Sequence, residues 1–526
     1  MNKQTYIKTD CKEWDEFYVR IKKFLEKDTL DLKIDGETVR GYRSPDSRAI
    51  WIRDHSDILR GAKYLEKDMK STVDHFAATQ AANGRIFDYV TTFPDKLPSE
   101  RENWTKYVRV PVEADVEYRF IKAAFLGWQA TGDDQWIVSL LPSMERALDY
   151  ILTNPLRWDE ATGLVKRAYT IDTWDFAYTA GHHDWLQMQI DENTFWGIMH
   201  GDNSGYYEAF RIMALLYEYI GKRGRSNEWQ ERAEALRENM NRVCWNGRFY
   251  THFVKLKAME IEGVDESSQL SLSNPIDINR GTATHEMAVS ILNEYIERGR
   301  ETDAFAEWFS IDPPFPSGIF GEAKLTPGSY INGGILPLVG GELARAAFEH
   351  GFESYGLDIL KQYFEMISRS GETYLWYFPD GTTSCLETST SPEVTPTDGW
   401  GSSAMLYAFI EGLAGVEDRA KLFQQVRLSP RWLAAGIYKA EVCIQYASSS
   451  AGVEYTFDFT KDKISLDLRS SGSDVRFHVL LPGGAAAKDV KIDKGNVPFD
   501  CVKVEQSPYV DFRANIEGKA GVEIFL

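Results

Sequence analysis

Apolar residues recur along most of this chain at three- and four-residue steps, the repeat that gathers side chains onto one face of a helix. In the segment 203–221, Tyr206, Phe210, Met213, Tyr217 and Ile220 fall on one face in this way. The same reading predicts helices over 54–66, 69–82, 115–131, 134–153, 203–221, 226–243, 279–298, 301–309, 330–350, 354–370, 400–415 and 417–425. These make six pairs, and they predict a mainly α fold: an (α/α)6 toroid or barrel in which six inner helices line a central pit. The connections 83–114, 154–202, 310–329 and 371–399 are longer than structural connectors usually are, and long loops tend to carry sites.

Near residue 428 the period changes from helical to two. Val453, Tyr455, Phe457 and Phe459 alternate with polar neighbours, as do Ile464, Leu466 and Leu468, then Val475, Phe477, Val479 and Leu481, and finally Val510, Phe512, Ala514 and Ile516. Alternation between turn residues predicts a small C-terminal antiparallel β-sandwich domain. At the other end, Cys11 to Lys27 reads as a helix and Thr29 to Arg40 as a hairpin. The expected organisation is therefore a lead-in over 1–50, a helical domain over 51–427 and a β domain over 428–526, with no internal repeat.

Composition narrows the function classes. Of 526 residues, 43% are hydrophobic and 26% charged, which is ordinary for a globular chain with a large core. A net charge of −20 repels phosphate backbones and anionic lipid, so neither nucleic acid nor a membrane surface is an expected partner. The longest uncharged stretch, Leu325 to Gly341, is broken by prolines and glycines and does not read as a membrane span. Five scattered cysteines without a CxxC pair predict neither a disulfide framework nor a zinc site. The N-terminus lacks the apolar core of a secretory signal, so a cytoplasmic location is expected. The 15 Trp, 26 Tyr and 28 Phe are chiefly core material, though aromatic rings also stack on the C–H faces of sugars.

Four clusters at helix starts or in long connections combine carboxylates with Trp, Gly and Asn. In Trp51-Ile52-Arg53-Asp54 the adjacent Arg and Asp suit neighbouring sugar hydroxyls, one as donor and one as acceptor; an ion pair with Asp54 as helix cap is the plainer alternative. In Asp172-Thr173-Trp174-Asp175-Phe176, two aromatics flank Asp175, an arrangement that desolvates a carboxyl and raises its pKa as a catalytic acid requires. The nearby His182-His183-Asp184 run is adjacent residues, which rarely ligate one ion, so no metal and no cofactor is expected. Tyr330 to Pro337 holds Asn332 with Gly333 and Gly334, which let backbone approach a ligand and an amide bind hydroxyls. The fourth cluster holds Glu387 and Glu393, followed by Trp400-Gly401-Ser402-Ser403-Ala404.

Residues 48 to 415 resemble the (α/α)6 glycosidases, especially the clan of trehalases and the processing α-glucosidases of glycoside hydrolase family 63. The resemblance rests on Trp174-Asp175-Phe176, on Asp202-Asn203, on Asn241 to Trp245 with Phe249-Tyr250, and on Glu387 followed thirteen residues later by Trp400. It implies Asp175 as general acid and Glu387 as general base. Trp51 to Asp54 and the Asn-Gly-Gly segment resemble glucoamylase-like relatives, in which the Arg-Asp pair holds the terminal sugar. Leu480-Leu481-Pro482-Gly483-Gly484 and its surroundings resemble the C-terminal domain of bacterial α-L-rhamnosidases. Thr170 to Thr173 replaces the clan's Glu-Ser-Gly, and Ser389 replaces an aromatic, which keeps Asp172 and Glu393 as alternative catalytic carboxyls.

The expectation is an inverting exo-acting glycoside hydrolase that removes a terminal α-linked sugar, α-glucosidase-like, from an oligosaccharide or glycoside. Arg53, Asp54 and Asn332 would hold the terminal ring, with Gly333 beside it; Trp51, Trp174, Trp196, Trp376 and Trp400 would supply the aromatic walls. Alternatives are an α-L-rhamnosidase-like enzyme, a polysaccharide lyase or epimerase using Tyr169, Tyr178, His182 or His200, and a non-catalytic carbohydrate-binding protein. The acidic charge disfavours a lyase, which binds uronates.

Overall fold

The computed structural model describes residues 4–43, 49–92, 106–107, 113–172, 194–320, 325–383 and 397–526. Among them are twelve α-helices: α1 (Lys12–Lys27), α2 (Ile52–Ala62), α3 (Ser71–Ala78), α4 (Val116–Thr131), α5 (Asp134–Thr153), α6 (His200–Tyr219), α7 (Arg223–Cys244), α8 (Ser273–Arg280), α9 (His285–Glu301), α10 (Pro337–Glu349), α11 (Glu353–Ser370) and α12 (Gly399–Tyr407). The even-numbered helices are buried nearly all round; α10, for example, buries every residue from Pro337 to Phe348. The odd-numbered ones are amphipathic, and α7 buries only Ser226, Trp229, Ala233, Leu236, Met240 and Cys244, one stripe at helical spacing. Each even-numbered helix packs on the next, α2 on α4 through to α10 on α12, and α12 packs on α2. Gly341 permits the approach of α10 to α12, since a Cβ there would stand 2.4 Å from the carbonyl carbon of Ala404 in α12.

The helices differ in membership from the predicted twelve. The segment read as one helix over 279–298 takes in only the last two residues of α8 before Gly281 ends it in the left-handed conformation (φ +84°), and the Thr284 side chain caps α9 by accepting from the Met287 N–H; most of α8 lies outside the predicted helices. Residues 330–336 form no helix, and Pro337 opens α10 at the position its ring favours. The 301–309 segment has no helical turn beyond the end of α9, and 417–425 contributes to two strands, Val416–Asp418 and Gln425–Leu428. The two helices outside the predicted twelve are α8 and, from the lead-in, α1, which buries Trp14, Phe17, Tyr18, Ile21, Phe24 and Leu25 and packs against α12.

The C-terminal part is two sheets. Seven strands lie in the order Tyr6–Thr9, Lys439–Gln445, Gly452–Thr460, Lys463–Ser470, Lys519–Phe525, Asp489–Ile492 and Gly495–Asn496; five lie in the order Val416–Asp418, Gln425–Leu428, Asp474–Leu480, Ser507–Asn515 and Asp500–Val504. All pairings are antiparallel except that of Gln425–Leu428 with Asp474–Leu480. The first strand of the larger sheet comes from the chain's beginning: Tyr6 pairs with Cys443 and Thr9 with Ala440. No described helix is long and apolar enough to cross a membrane.

Candidate active site

Each buried helix is entered from a long connection, so the N-termini of α2, α4, α6, α8, α10 and α12 are where the chain's loops converge. Helix N-termini carry partial positive charge and unpaired N–H groups, which favour carboxylates. This chain supplies them: Asp54 in α2, Glu113 and Asp115 ahead of α4, Asp202 in α6 and Asp398 ahead of α12 are all buried.

Arg53 joins two of these positions. Its guanidinium donates from Nε to Asp115 Oδ2 at 2.6 Å and from Nη2 to Asp115 Oδ1 at 3.0 Å, and Nη2 also lies 3.0 Å from Glu113 Oε1. Burial opposes the charge on Asp115, but Arg53 overrides it and holds the carboxyl well below its ordinary range. Arg53 is thus a buried clamp between α2 and α4, with a bidentate carboxylate partner already in place of the expected sugar hydroxyl. Next in line, Arg167 on the strand Leu164–Ala168 reaches Asp202 with Nη1 at 3.1 Å from Oδ1. Burial raises Asp202 to about 6; Arg167 opposes that rise, while Asp115 and Asp172 add to it.

Asp172 ends this line of charge. It sits at φ +45° and is fully buried; its Oδ1 accepts from Ser273 Oγ at 2.5 Å, its Oδ2 from Ser273 N at 3.2 Å, and its own N–H donates to His252 Nε2 at 2.8 Å. Such a residue is strained and over-determined, and its role is to pin the chain at the start of α8. Beside it, His200 Nδ1 stands 2.5 Å from Asp277 Oδ2 and its Nε2 3.0 Å from Ser271 Oγ. Burial alone would push the imidazole down, but Asp277 raises it above its ordinary value. Fully buried and doubly bonded, His200 binds α6 to α8.

At α12, Asp398 caps the helix by accepting from Trp400 N at 3.0 Å and Gly401 N at 2.8 Å, and burial raises it to about 6 against those bonds. Trp400 is buried and donates its indole N–H to Asp57 Oδ2 at 2.9 Å, tying α12 to α2. Asp28, at the end of α1, is pushed well above the ordinary carboxyl range by burial, Asp398 and Asp54 adding to the effect and Arg43 opposing it. Trp51, Arg53, Asp54 and Trp400 therefore do gather at one end of α2 and α12.

Other expected residues lie elsewhere in role. Asn332 is 1% exposed; its Oδ1 accepts from Phe315 N at 2.7 Å and its Nδ2 donates to the carbonyls of Phe315 at 3.0 Å and Leu325 at 3.2 Å. It is a staple for main chain rather than a sugar ligand. Gly333 (φ +97°) serves the same turn, donating its N–H to Ser310 Oγ. Trp376 is 1% exposed and packs on Phe378 and Tyr330, so it is core. Trp51, its ring tilted 37° against Tyr89 with centroids 4.2 Å apart, and Trp196, with Lys166 Nζ 5.6 Å from its ring centroid, are half-buried. Asp175, Trp174, Glu387 and Glu393 lie outside the described residues, as do Tyr178, His182 and His183. Sequence reasoning did not single out Glu113, Asp115, Arg167, His252 or Ser273; the Glu-Ala-Asp run just ahead of the helix at 115–131 was the available signal.

The class this architecture defines is that of (α/α)6 glycoside hydrolase folds. In particular, the α-L-rhamnosidase of Dictyoglumus thermophilum superposes over 99% of this chain and 51% of its own with a TM-score of 0.62 and 13% identity. The Streptomyces avermitilis α-L-rhamnosidase, solved with L-rhamnose, covers 99% and 42% with a TM-score of 0.61 and 12% identity. The GH63 mannosylglycerate hydrolase of Thermus thermophilus, solved with glucose, covers 74% and 99% with a TM-score of 0.51 and 17% identity. The chain thus spans about half the length of the rhamnosidases it matches. No family model and no curated relative matches the sequence.

Proposed function

We propose that this protein is a glycoside hydrolase whose even-numbered helices close as an (α/α)6 toroid, acting at the mouth formed by their N-termini. The observation that carries the reading is the buried line Arg53–Asp115–Arg167–Asp202–Asp172 at that mouth, on a fold shared with enzymes that cleave sugars. Such a line costs free energy to bury and gives a rigid, charged floor for the connections that hold the candidate catalytic residues. Asp175, three residues after the pinned Asp172, donates a proton to the glycosidic oxygen as the leaving group departs. Glu387 takes a proton from water, which attacks the anomeric carbon from the opposite face. This geometry needs roughly 6.5–9.5 Å between the two carboxyls and gives inversion. Asp172 is a poor acid itself, since both its oxygens are already bonded.

The substrate is a glycoside with a terminal α-linked sugar. An α-D-glucosidic unit follows from the family 63 resemblance; the match over 99% of the chain to α-L-rhamnosidases, β sheets included, favours α-L-rhamnose as a second reading. Incubation with 4-nitrophenyl α-D-glucoside, α-L-rhamnoside and α-D-mannoside, with the product anomer followed by NMR, separates them. One sugar is expected to be released with inversion, and Asp175→Asn and Glu387→Gln to lose roughly 10²–10⁴-fold in kcat. Activity surviving in both variants overturns the carboxyl roles, and an ultraviolet-absorbing product from a uronate polymer overturns hydrolysis.

A further inference from the structure

At the C-terminal end of α10, opposite its mouth-facing N-terminus, three parts of the fold meet through two histidines. His285 is the first residue of α9, His350 follows the last residue of α10, and Glu505 lies at the tip of the hairpin formed by Asp500–Val504 and Ser507–Asn515. His285 Nδ1 stands 2.9 Å from His350 Nδ1, and His285 Nε2 stands 3.1 Å from Glu505 Oε1. The tip sits closely on the helix end: a Cβ on Gly351, which has φ +84°, would stand 2.5 Å from the Val504 carbonyl oxygen and 3.0 Å from Glu505 Cβ.

The two rings meet edge to edge. With the nitrogens 2.9 Å apart, the centroids 5.1 Å apart and the planes 24° from parallel, each Nδ1 points at the other. A metal ion does not fit between them, since its bonds to two imidazoles in line would span about 4 Å; a single hydrogen does. Counting hydrogens fixes the arrangement. A carboxylate only accepts, so His285 Nε2 carries a hydrogen for Glu505, and in the neutral ring its Nδ1 is bare. His350 Nδ1–H then donates to it. One extra proton is tolerated. On His350 Nε2 it leaves this bond as it is; on His285 Nδ1 it reverses the bond once the His350 hydrogen shifts to Nε2. A second extra proton sets N–H against N–H between two cations, and no bond remains.

We propose that His285 and His350 form an acid-operated latch, which holds the hairpin tip to the helix ends while at most one of the two rings is charged and releases it when both are. Ser507 and Tyr509 both donate to Glu353, the first residue of α11, and they remain as the hinge. The surroundings make His350 the ring that resists the second proton. Burial lowers it to about 4, with His285, Arg345 and Arg427 acting in the same sense and Glu349 opposing them. Glu349 is already shared among Arg345, Arg427 and Arg431. His285 faces two carboxylates, Glu286 and Glu505. A histidine held below its ordinary value binds fewer protons latched than released. The latch is therefore at full strength above about pH 6.5 and weakens as pH falls to about 4, by at most about 300-fold.

Hydrogen exchange on the whole protein, read by mass spectrometry and corrected for the intrinsic pH dependence of exchange, tests this. The peptide over 500–509 is expected to keep its protection from pH 8 to pH 6.5 and to lose it progressively towards pH 4, while that over 452–470, in the other sheet, does not change. The loss is expected to persist in Glu505→Gln, which keeps an acceptor for His285 but does not titrate. It is expected to vanish in His350→Asn, whose amide can donate to or accept from His285 Nδ1 and cannot become a cation. Constant protection of 500–509 in wild type, or a loss that His350→Asn shows equally, overturns the latch. A parallel loss over 452–470 is general acid unfolding and overturns it too. If His350→Asn does not fold, a loss confined to 500–509 in both wild type and Glu505→Gln supports the latch, and its absence from either overturns it.

Discussion

Replacing Asn332 by Ala separates a structural from a sugar-binding role. The side chain spends its oxygen on the Phe315 N–H and its amide hydrogens on the Phe315 and Leu325 carbonyls, all within a 1% exposed site. Alanine leaves these three main-chain groups buried without partners. At about 1 kcal/mol for each, the cost is about 2–4 kcal/mol, a fall in Tm of roughly 2–4 °C for a chain of this length. Asn332→Asp sharpens the test. The acceptor for Phe315 N is kept, but the second carboxylate oxygen faces two carbonyls and finds a donor only by taking up a proton. The folded-state pKa of the new carboxyl is therefore raised, so the folded protein binds a proton that the unfolded chain releases. Stability falls as pH rises from about 3.9, the ordinary carboxyl value, through that folded pKa, and returns in acid. Calorimetry at pH 5 and pH 7.5 should show the deficit of Asn332→Asp widening at the higher pH. An Ala variant that melts within about 1 °C of wild type while KM rises about tenfold would refute the reasoning and return Asn332 to the substrate.

Two further outcomes follow from burial and close approach. Asp28 is fully buried with neither carboxyl oxygen hydrogen-bonded to a described residue, Arg43 Nη2 standing 3.5 Å from Oδ1, and its raised pKa means that wild type loses stability as pH rises above the ordinary carboxyl range. Asp28→Asn carries no such penalty, so its Tm relative to wild type should climb between pH 5 and pH 8; a difference independent of pH contradicts this. Gly341→Ala puts a methyl 2.4 Å from the Ala404 carbonyl carbon and 2.6 Å from its Cβ, atoms held by helix α12. The two helices must part, at a cost of about 1–3 kcal/mol read from denaturant midpoints, and an unchanged midpoint would show that they do not touch there.

The amphipathic helices were legible because their face is written in spacing. Trp229, Ala233, Leu236 and Met240 alone place α7, read as 226–243 and found at Arg223–Cys244. Helices buried all round carry no such contrast, so the run from Tyr330 into α10 looked continuous although Pro337 begins the helix, and most of α8, Ser273–Arg280, was passed over. Leu422 and Phe423 read as helical apolar residues, but both take positive φ between two strands. The site was less legible for a different reason. Arg53 and Asp54 are neighbours in sequence, and that drew attention to them as a pair, whereas the partner of Arg53 is Asp115, 62 positions away. Asn332 is answered by main-chain atoms, which every residue has and no letter reveals. Trp376 and Trp196 carry the same letter and differ only in what packs over them.

The pairing of Tyr6–Thr9 with Lys439–Gln445 sets a schedule for synthesis. Thr5 Oγ1 donates to the carbonyl of Gln445, 440 residues later. At about 5–20 residues per second, a ribosome takes roughly 20–90 s to cover that interval. For that time the strand exists without the one it will lie beside, its N–H and C=O groups open to any other edge it meets. The helices can assemble as they emerge, but Tyr6–Thr9 waits for Lys439–Gln445, and a ribosome stalled before residue 439 leaves that first strand unmatched.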